Sequence, residues 1–265
     1  MNSIKGKVNK IILGLTSVGL ILLMLPASLS ASHFRYGTMS WENPWDNGTI
    51  ILKLESGWNN ASTSFTTQFD EVGEINANWI QIFWGNRING YEDNETVSMK
   101  TLSVDTSSKS TITEIGVNSS GWTKGVKHTY TDNGTYIVYW TSGNRISAIE
   151  NMDNSKKWRN ETKVNIGGQY AGNDSPVSAV PPIVKIQDNT TFKYQLVSTD
   201  TDTLGYRWGT YKEFVDNASS TTYSKPTGMT LSSSGLVQWN VLDSGGQATD
   251  EDDMWLSFIM VEDLD

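Results

Sequence analysis

Short alternations of apolar and polar residues, separated by turn residues, recur along most of the chain. Segments 32–41 and 48–55 show this pattern, with a turn built on Asp46-Asn47-Gly48 between them. Period-two alternation is typical of a strand with one buried face, and Asn, Asp and Gly are typical of turns. We therefore predict a hairpin here, and further strands at 76–84, 97–104, 110–117, 135–140, 190–198, 204–208, 235–239 and 254–262.

The predicted fold class is all-β. No segment after residue 31 shows sustained helical periodicity, and the chain holds eleven Trp, ten Tyr and seven Phe, which favour strands. Strands recur about every 10 to 15 residues, and the turn residues Gly85-Asn86 and Asn89-Gly90 are expected to end the strand at 76–84. This spacing is typical of immunoglobulin-like β-sandwiches.

The segment 126–140 contains turn-forming residues followed directly by strand-forming residues. Asp132-Asn133-Gly134 tolerates positive φ, and β-branched and aromatic residues follow it. The spacing predicts that the Tyr130 hydroxyl bonds to nearby backbone, as in a tyrosine corner. The pattern formed by His128, Tyr130, Gly134 and Tyr136 resembles the polycystic-kidney-disease (PKD) type of β-sandwich, in which it builds the fold and performs no chemistry.

The first 31 residues predict a cleaved signal peptide. Three lysines precede an apolar run at 11–25, and small residues follow Pro26, so cleavage is expected near Ser30 or Ala31. An uncleaved anchor is the alternative, although the apolar run is shorter than the about 20 residues of a membrane span. The mature protein is therefore expected to be secreted or at the cell surface, without a membrane span after signal cleavage.

Composition excludes several classes of function. Loss of the three lysines takes the formal charge from −9 to −12, and this argues against nucleic acid as a partner. The chain has no cysteine, which excludes disulfides, thiolate metal sites and cysteine nucleophiles. Its two histidines are His33 and His128, no Gly-x-Ser-x-Gly sequence is present, and no carboxylate pair is selected by spacing. We therefore predict that the protein is not an enzyme.

A proline-rich linker at 175–184 predicts a boundary between two tandem immunoglobulin-like β-sandwiches. The domains would be 32–176 and 177–265, after the signal peptide at 1–31. The second domain carries an Asp-x-Asp loop at 200–202, Pro-x-Gly-x-x-Leu at 226–231 and Gly-x-x-x-Trp at 235–239. In these features it resembles the cadherin-like and immunoglobulin-like repeats of surface proteins.

The whole arrangement is similar to a family of large secreted proteins. Their mature chains begin with a Ser-His-Phe-Arg strand, here at 32–35, and continue through a PKD-like hairpin and the Ser-Pro-Val-Ser linker, here at 175–178. No established biochemical activity comes with this resemblance. Many relatives place cysteines just before Arg-Ile-Ser, where Gly143-Asn144 stand in this chain. Relatives also continue beyond the position of Asp265, so this chain is expected to be a fragment.

Calcium is the predicted cofactor. Oxygen ligands suit Ca²⁺, and two carboxylates two residues apart on one loop can face the same ion. The resemblance to cadherin-like repeats places such a loop beside acidic residues at a domain end. The alternative is a set of solvated loop carboxylates. The candidate ligands are Asp200, Asp202, Glu262, Asp263 and Asp265.

N-glycosylation is a second candidate property. Chance in a chain rich in Asn, Ser and Thr is the alternative explanation, and Asn173 is weakened by Pro176. The nine sequons are at Asn47, Asn60, Asn94, Asn118, Asn133, Asn160, Asn173, Asn189 and Asn217.

The positions of the tryptophans, in the core or at the surface, bear on the choice between an adhesion function and glycan binding. Trp79, Trp84, Trp140, Trp208 and Trp239 lie in apolar runs and are predicted to be core, whereas Trp45, Trp58, Trp122 and Trp158 lie among turn residues and are expected at the surface. We predict a non-catalytic adhesion or structural module that binds other surface proteins or extracellular glycans. The first alternative is a carbohydrate-binding accessory module of a larger secreted protein, and the second is a secreted enzyme with an unrecognised site.

Overall fold

The computed structural model describes residues 34–60, 69–143, 145–146, 149–153, 157–187, 190–215, 223–241 and 253–264. The predicted signal peptide, His33, Asn189, Asn217 and Asp265 lie outside these residues. The strands are β1 (Phe34–Glu42), β2 (Thr49–Asn59), β3 (Ile75–Ile88), β4 (Tyr91–Asp105), β5 (Ser110–Asn118), β6 (Trp122–Lys124), β7 (Val126–Thr129), β8 (Gly134–Ser142), β9 (Trp158–Ile166), β10 (Val177–Ser178), β11 (Thr191–Gln195), β12 (Ser198–Thr199), β13 (Leu204–Trp208), β14 (Thr230–Leu231), β15 (Leu236–Asn240) and β16 (Ile259–Asp263). A 3₁₀ turn (Gly168–Tyr170) and a single helical turn, α1 (Tyr211–Phe214), complete the described elements.

The first nine strands form one antiparallel sheet. Its order is β1-β2-β5-β4-β3-β8-β9, and β6 and β7 pair with β5 and β2. The predicted β1–β2 hairpin is confirmed, with Glu42 opposite Ile51. The all-β class is also confirmed, because sixteen strands and only two short helical turns make up the described elements.

The two edge strands, β1 and β9, face each other and nearly close the sheet into a β-sandwich. Side chains make the connection: Trp41 Nε1 donates to Lys163 O at 2.9 Å, and Asn160 Nδ2 donates to Gly37 O at 3.0 Å. We call these four residues the seam. They satisfy edge-strand carbonyls that the ladder leaves unpaired.

The core of the sandwich includes four aromatic rings at the end where β1 and β9 begin. Phe34 stacks on Trp158 at 3.6 Å, and both rings pack edge-on against Trp140. Trp58 joins them at 5.5 Å from Phe34. Trp58 and Trp158 are buried, so their predicted surface position is wrong.

Buried hydrogen bonds explain the two misplaced tryptophans. A buried indole needs an acceptor for its N–H group. Trp58 Nε1 donates to Ser56 Oγ and Thr113 Oγ1, and Trp158 Nε1 donates to Gly143 O.

The remaining tryptophans follow the prediction with small differences. Trp84, Trp140 and Trp239 are buried, while Trp79 and Trp208 are partly buried against cores. Trp45 is exposed as predicted. Trp122 is half-buried, because its indole N–H bonds to Glu114 Oε1 at 2.8 Å.

Strand β3 also departs from the prediction. It continues past Gly85-Asn86 to Ile88, so the end predicted at Gly85-Asn86 is wrong, whereas the strand does end directly before Asn89-Gly90. Gly85 has φ +78 at a register shift between Phe83 and Arg87, and a Cβ there would meet Ile137 O at 2.6 Å. A bulge therefore replaces the predicted turn.

The C-terminal residues form three small sheets, ordered β10-β12, β11-β15-β14 and β13-β16. A core around Met229, Val237 and Trp239 lies among them. The segment between β8 and β9 reaches this region, where Asn151 exchanges hydrogen bonds of 2.8 and 2.9 Å with the backbone of Leu256.

We predict that Trp41→Phe lowers the free energy of unfolding by about 1–3 kcal/mol, because it removes one donor and leaves Lys163 O without its partner. Urea unfolding of the purified chain measures the change. The matched control is Trp45→Phe, an exposed tryptophan whose replacement should cost less than about 0.5 kcal/mol. Equal midpoints for the two variants would contradict the role of the seam.

Candidate functional site

Antiparallel pairing brings four turns to one end of the large sheet. They connect β1 to β2, β3 to β4, β5 to β6 and β7 to β8, as the pairs Glu42/Ile51, Ile88/Tyr91, Asn118/Trp122 and Gly134/Ile166 indicate. We call residues 43–48, 87–92, 117–122 and 130–134 the turn end. The turn 106–109 and the start of β1 lie at the opposite end.

Exposed apolar side chains concentrate at the turn end. Tyr91 is 80% exposed, Ile88 55%, Trp45 46% and Val117 42%. In the described part of the large sheet, Val72 is the other exposed large apolar residue, and it lies near the start of β3 at the opposite end. Contiguous exposed apolar groups often mark interaction sites, whereas single ones are ordinary.

The β3–β4 hairpin carries two of these side chains. Asn89 and Gly90 have φ +53 and +82, which fits the two-residue type I′ turn that favours Asn-Gly. Ile88 and Tyr91 are paired directly beside this turn, and all six residues from 87 to 92 are exposed. The hairpin tip, residues 87–92, therefore presents an apolar pair to solvent.

A buried aromatic stack lies beneath the hairpin. The rings of Trp84 and His128 stack at 4.3 Å, His128 meets Tyr130 edge-on at 4.6 Å, and Tyr130 stacks on Tyr136 at 4.0 Å. The four residues thus hold β3, β7 and β8 together at this end. His128 packs between Trp84 and Tyr130, which fits the structural role expected for its motif.

The tyrosine hydrogen bonds differ from the prediction. Tyr130 donates to Trp84 O at 2.9 Å, a carbonyl 46 residues away in sequence, so the predicted nearby partner is wrong. Tyr136 makes the local bond instead, to Asp132 O at 2.8 Å. The bulge after Phe83 interrupts the ladder near Trp84 and leaves its carbonyl for Tyr130.

Asp93 is the charged group nearest to His128. Its Oδ2 lies 3.7 Å from His128 Nε2 and accepts a hydrogen bond from Asn86 Nδ2 at 3.0 Å. Burial lowers the pKa of His128 below its usual 6.5, and the negative charge of Asp93 opposes this shift only partly.

Four of the five predicted calcium ligands lie in the described residues, and strand pairing brings their segments together, but several of their oxygens accept hydrogen bonds from the protein. Asp200 Oδ2 is buried and has no hydrogen-bond partner among the described residues. Leu264 N donates to Thr203 O, so the loop of Asp200 and Asp202 lies beside Asp263. Asp200 Oδ1 accepts from Thr201 N within its own loop, and Asp263 Oδ2 accepts from Asn173 Nδ2 at 2.8 Å.

Glu262 is committed to an arginine network. Arg207 donates to Glu262 Oε1 at 2.7 Å and to both carboxylate oxygens of Glu213, and its hydrogen bonds hold the pKa of Glu213 at about 2. Within the described ranges, no three His, Asp or Glu residues are grouped as metal ligands. The calcium site stays a prediction.

The described sequons fall into three groups by exposure. Asn47, Asn94, Asn118 and Asn133 are exposed, Asn160 and Asn173 are half-buried, and Asn60 is buried.

Comparison with known proteins assigns the chain to a family. The sequence profile described as "Integrin beta-like protein A-E, N-terminal" matches residues 35–167 of the 265-residue chain. The chain belongs to this integrin beta-like family. The matched residues coincide with the large sheet, from β1 to the end of β9, so the family region includes the seam, the aromatic stack and the turn end.

A curated member of the integrin beta-like proteins is also similar over a longer range. Integrin beta-like protein C of Dictyostelium discoideum is 29% identical over 241 residues, which cover 81% of this chain and 11% of that relative. The chain therefore spans about a tenth of the length of the relative it matches. No solved structure matches the chain significantly. Among the described residues, no helix has the length and apolarity to cross a membrane.

We predict that acidification destabilises the protein through His128. Because the folded-state pKa lies below 6.5, the unfolded chain binds the proton at a higher pH than the folded chain. The stability is therefore complete above about pH 6.5 and is lost as the pH falls from there through the folded-state pKa. Urea unfolding at pH 7.5 and 5.5 measures this loss.

The control for this prediction is His128→Phe, which keeps an aromatic ring against Trp84 and removes the titrating group. Its free energy of unfolding should fall less between the two pH values than that of the unmodified chain. The same fall in both proteins would contradict the assignment to His128.

Proposed function

We propose that this chain is a non-catalytic, secreted or cell-surface adhesion module that contacts its partner through the β3–β4 hairpin tip. The exposed pair Ile88 and Tyr91 is the observation that carries the proposal. Membership of the integrin beta-like family supports a surface role. In this proposal the large sheet is the PKD-like sandwich and residues 177–265 are the cadherin-like domain.

Another surface protein is the partner that the hairpin tip favours. Aromatic and apolar residues form the centre of protein interfaces, surrounded by polar groups. At the tip, Ile88 and Tyr91 supply the apolar centre, and the cross-strand pair Arg87 and Glu92 supplies charges of both signs beside it. A hairpin held by its own turn also binds with little loss of conformational entropy.

Binding of an extracellular glycan is the second candidate, and Trp45 is its best support. The ring of this turn-borne tryptophan is 46% exposed. One face is occupied, because Lys127 Nζ lies 4.5 Å from the ring centroid in a cation–π contact. The burial of Trp58 and Trp158 removes two of the four tryptophans that suggested sugar stacking.

We expect the double variant Ile88→Ser/Tyr91→Ser to bind cells of the source organism at least tenfold more weakly than the unmodified chain does. This corresponds to a loss of about 1.4 kcal/mol or more in binding free energy. Cell binding by the labelled full chain is the measurement. The matched control is Val72→Ser, which removes an apolar side chain whose exposure, 68%, lies between those of Ile88 and Tyr91. It lies at the opposite end of the sheet and should leave binding unchanged.

Both variants change solvent-exposed positions, so their melting temperatures should match that of the unmodified chain. Unchanged cell binding by the double variant would contradict contact through the hairpin tip. Saccharide binding that is lost in Trp45→Ala, with the hairpin variant unaffected, would support the glycan candidate instead.

The calcium prediction has its own test. Calcium that binds only the folded chain should stabilise it by about 2.7 kcal/mol at 100 times the dissociation constant, relative to a chelator. The variant Asp200→Asn/Asp202→Asn should abolish this difference in thermal melts. A melting temperature that does not respond to millimolar calcium would contradict the predicted site.

A further inference from the structure

Seven sequon asparagines lie in the described residues, and hydrogen bonding separates them more sharply than exposure does. N-glycosylation forms a bond to the side-chain amide nitrogen, Nδ2, so in the folded chain the glycan competes with structural partners for the space around this atom. The hydrogen bonds of each Nδ2 therefore indicate which sequons the folded chain can use.

Four of the asparagines use Nδ2 within the fold. Asn60 donates to Thr111 Oγ1 at 3.2 Å and is 8% exposed. Asn160 is part of the seam, and Asn173 donates to Asp263. Asn94 is exposed, but its Nδ2 donates to a backbone carbonyl of its own strand and its Oδ1 accepts from Gln81 at 2.7 Å.

A glycan on one of these four nitrogens would destabilise the folded chain, by an amount that depends on the site. At Asn60 it would have to occupy space filled by the core, and at Asn160 it would separate β1 from β9. The glycosylated nitrogen keeps one N–H, so the structural hydrogen bond survives only where the sugar fits beside it. Where the sugar displaces that bond, a buried acceptor loses its donor, which costs about 1–3 kcal/mol in addition to any steric clash.

The other three, Asn47, Asn118 and Asn133, are exposed, and among the described residues their Nδ2 atoms have no hydrogen-bond partner. All three belong to the turn end. Asn47 Oδ1 accepts from Thr49 N at 3.1 Å, an Asx turn that fixes the side chain through its oxygen and leaves the nitrogen unbonded.

We propose that Asn47, Asn118 and Asn133 are the N-glycan acceptors of the described fold. The co-reactant is a lipid-linked oligosaccharide phosphate. The Asn Nδ2–C1 bond forms, the bond between the anomeric carbon and phosphate oxygen breaks, and the lipid phosphate leaves while the amide loses one proton. No oxidant or reductant is needed.

The three acceptors occupy three of the four turns at the turn end. The fourth turn, Asn89-Gly90, carries no sequon, and the nearest one, at Asn94, has its amide engaged. Glycans on the neighbouring turns would thus surround the hairpin tip and leave Ile88 and Tyr91 uncovered. The assignment depends only on the amides, so it holds or fails independently of the adhesion proposal.

The test is a site map of the full chain secreted from a host that N-glycosylates exported proteins. The folded monomer is isolated, its glycans are removed by a peptide amidase in ¹⁸O-labelled water, and mass spectrometry locates each Asn converted to labelled Asp. Modification of at least two of Asn47, Asn118 and Asn133, with the four engaged asparagines unmodified, is the expected result. Modification of any engaged asparagine, or of fewer than two of the three, overturns the proposal.

Two matched variants give a second readout. Asn118→Gln removes a proposed acceptor whose side chain makes no hydrogen bond to the described residues, so it should lower the mass by one glycan and leave the melting temperature unchanged. Asn160→Gln should leave the glycan mass unchanged and lower the melting temperature. An unchanged glycan mass in Asn118→Gln would overturn the assignment. This readout does not depend on whether Asn160→Gln folds.

Discussion

The large sheet depends on closure by side chains at the seam. Strands β1 and β9 are its edges, and an open edge presents unpaired backbone groups to water and to other chains. Trp41 and Asn160 cover this edge by donating to backbone carbonyls of the facing strand. Gly37 permits the approach, because a Cβ at that position would lie 3.0 Å from Asn160 Oδ1. Without cysteines, these contacts and the core must provide what disulfides provide in many secreted domains.

The two ends of the closed sandwich differ in solvent exposure. At the end where β1 begins, Arg145 lies over Phe34, Trp158 and Phe258, and so joins the large sheet to the C-terminal region. Burial lowers the pKa of this arginine to about 9, and the ring faces offset part of the cost of burying its charge. The hairpin tip at the other end remains exposed to solvent, which favours that end as the contact surface.

Local sequence signals predicted the fold better than they predicted burial. The β1–β2 hairpin and the turn at Asn89-Gly90 follow from short-range chemistry and could be read directly. The positions of Trp58 and Trp158 could not, because their indole partners, Thr113 and Gly143, come from other parts of the chain. Neighbouring turn residues made both tryptophans resemble surface residues, although they complete the core.

The candidate site was only partly predictable for the same reason. The motif of His128, Tyr130 and Tyr136 indicated a structural cluster, yet the partner of Tyr130 depends on a bulge 46 residues earlier. Sequons are equally visible in sequence, but only the sheet register shows that Asn160 lies at a seam while Asn118 lies at the end of β5, beside a turn. Pairing between distant strands therefore decides which of these chemically identical side chains can face solvent. The residues matched by the family profile contain this whole pairing pattern, so the turn end and the sheet that positions it form one structural unit.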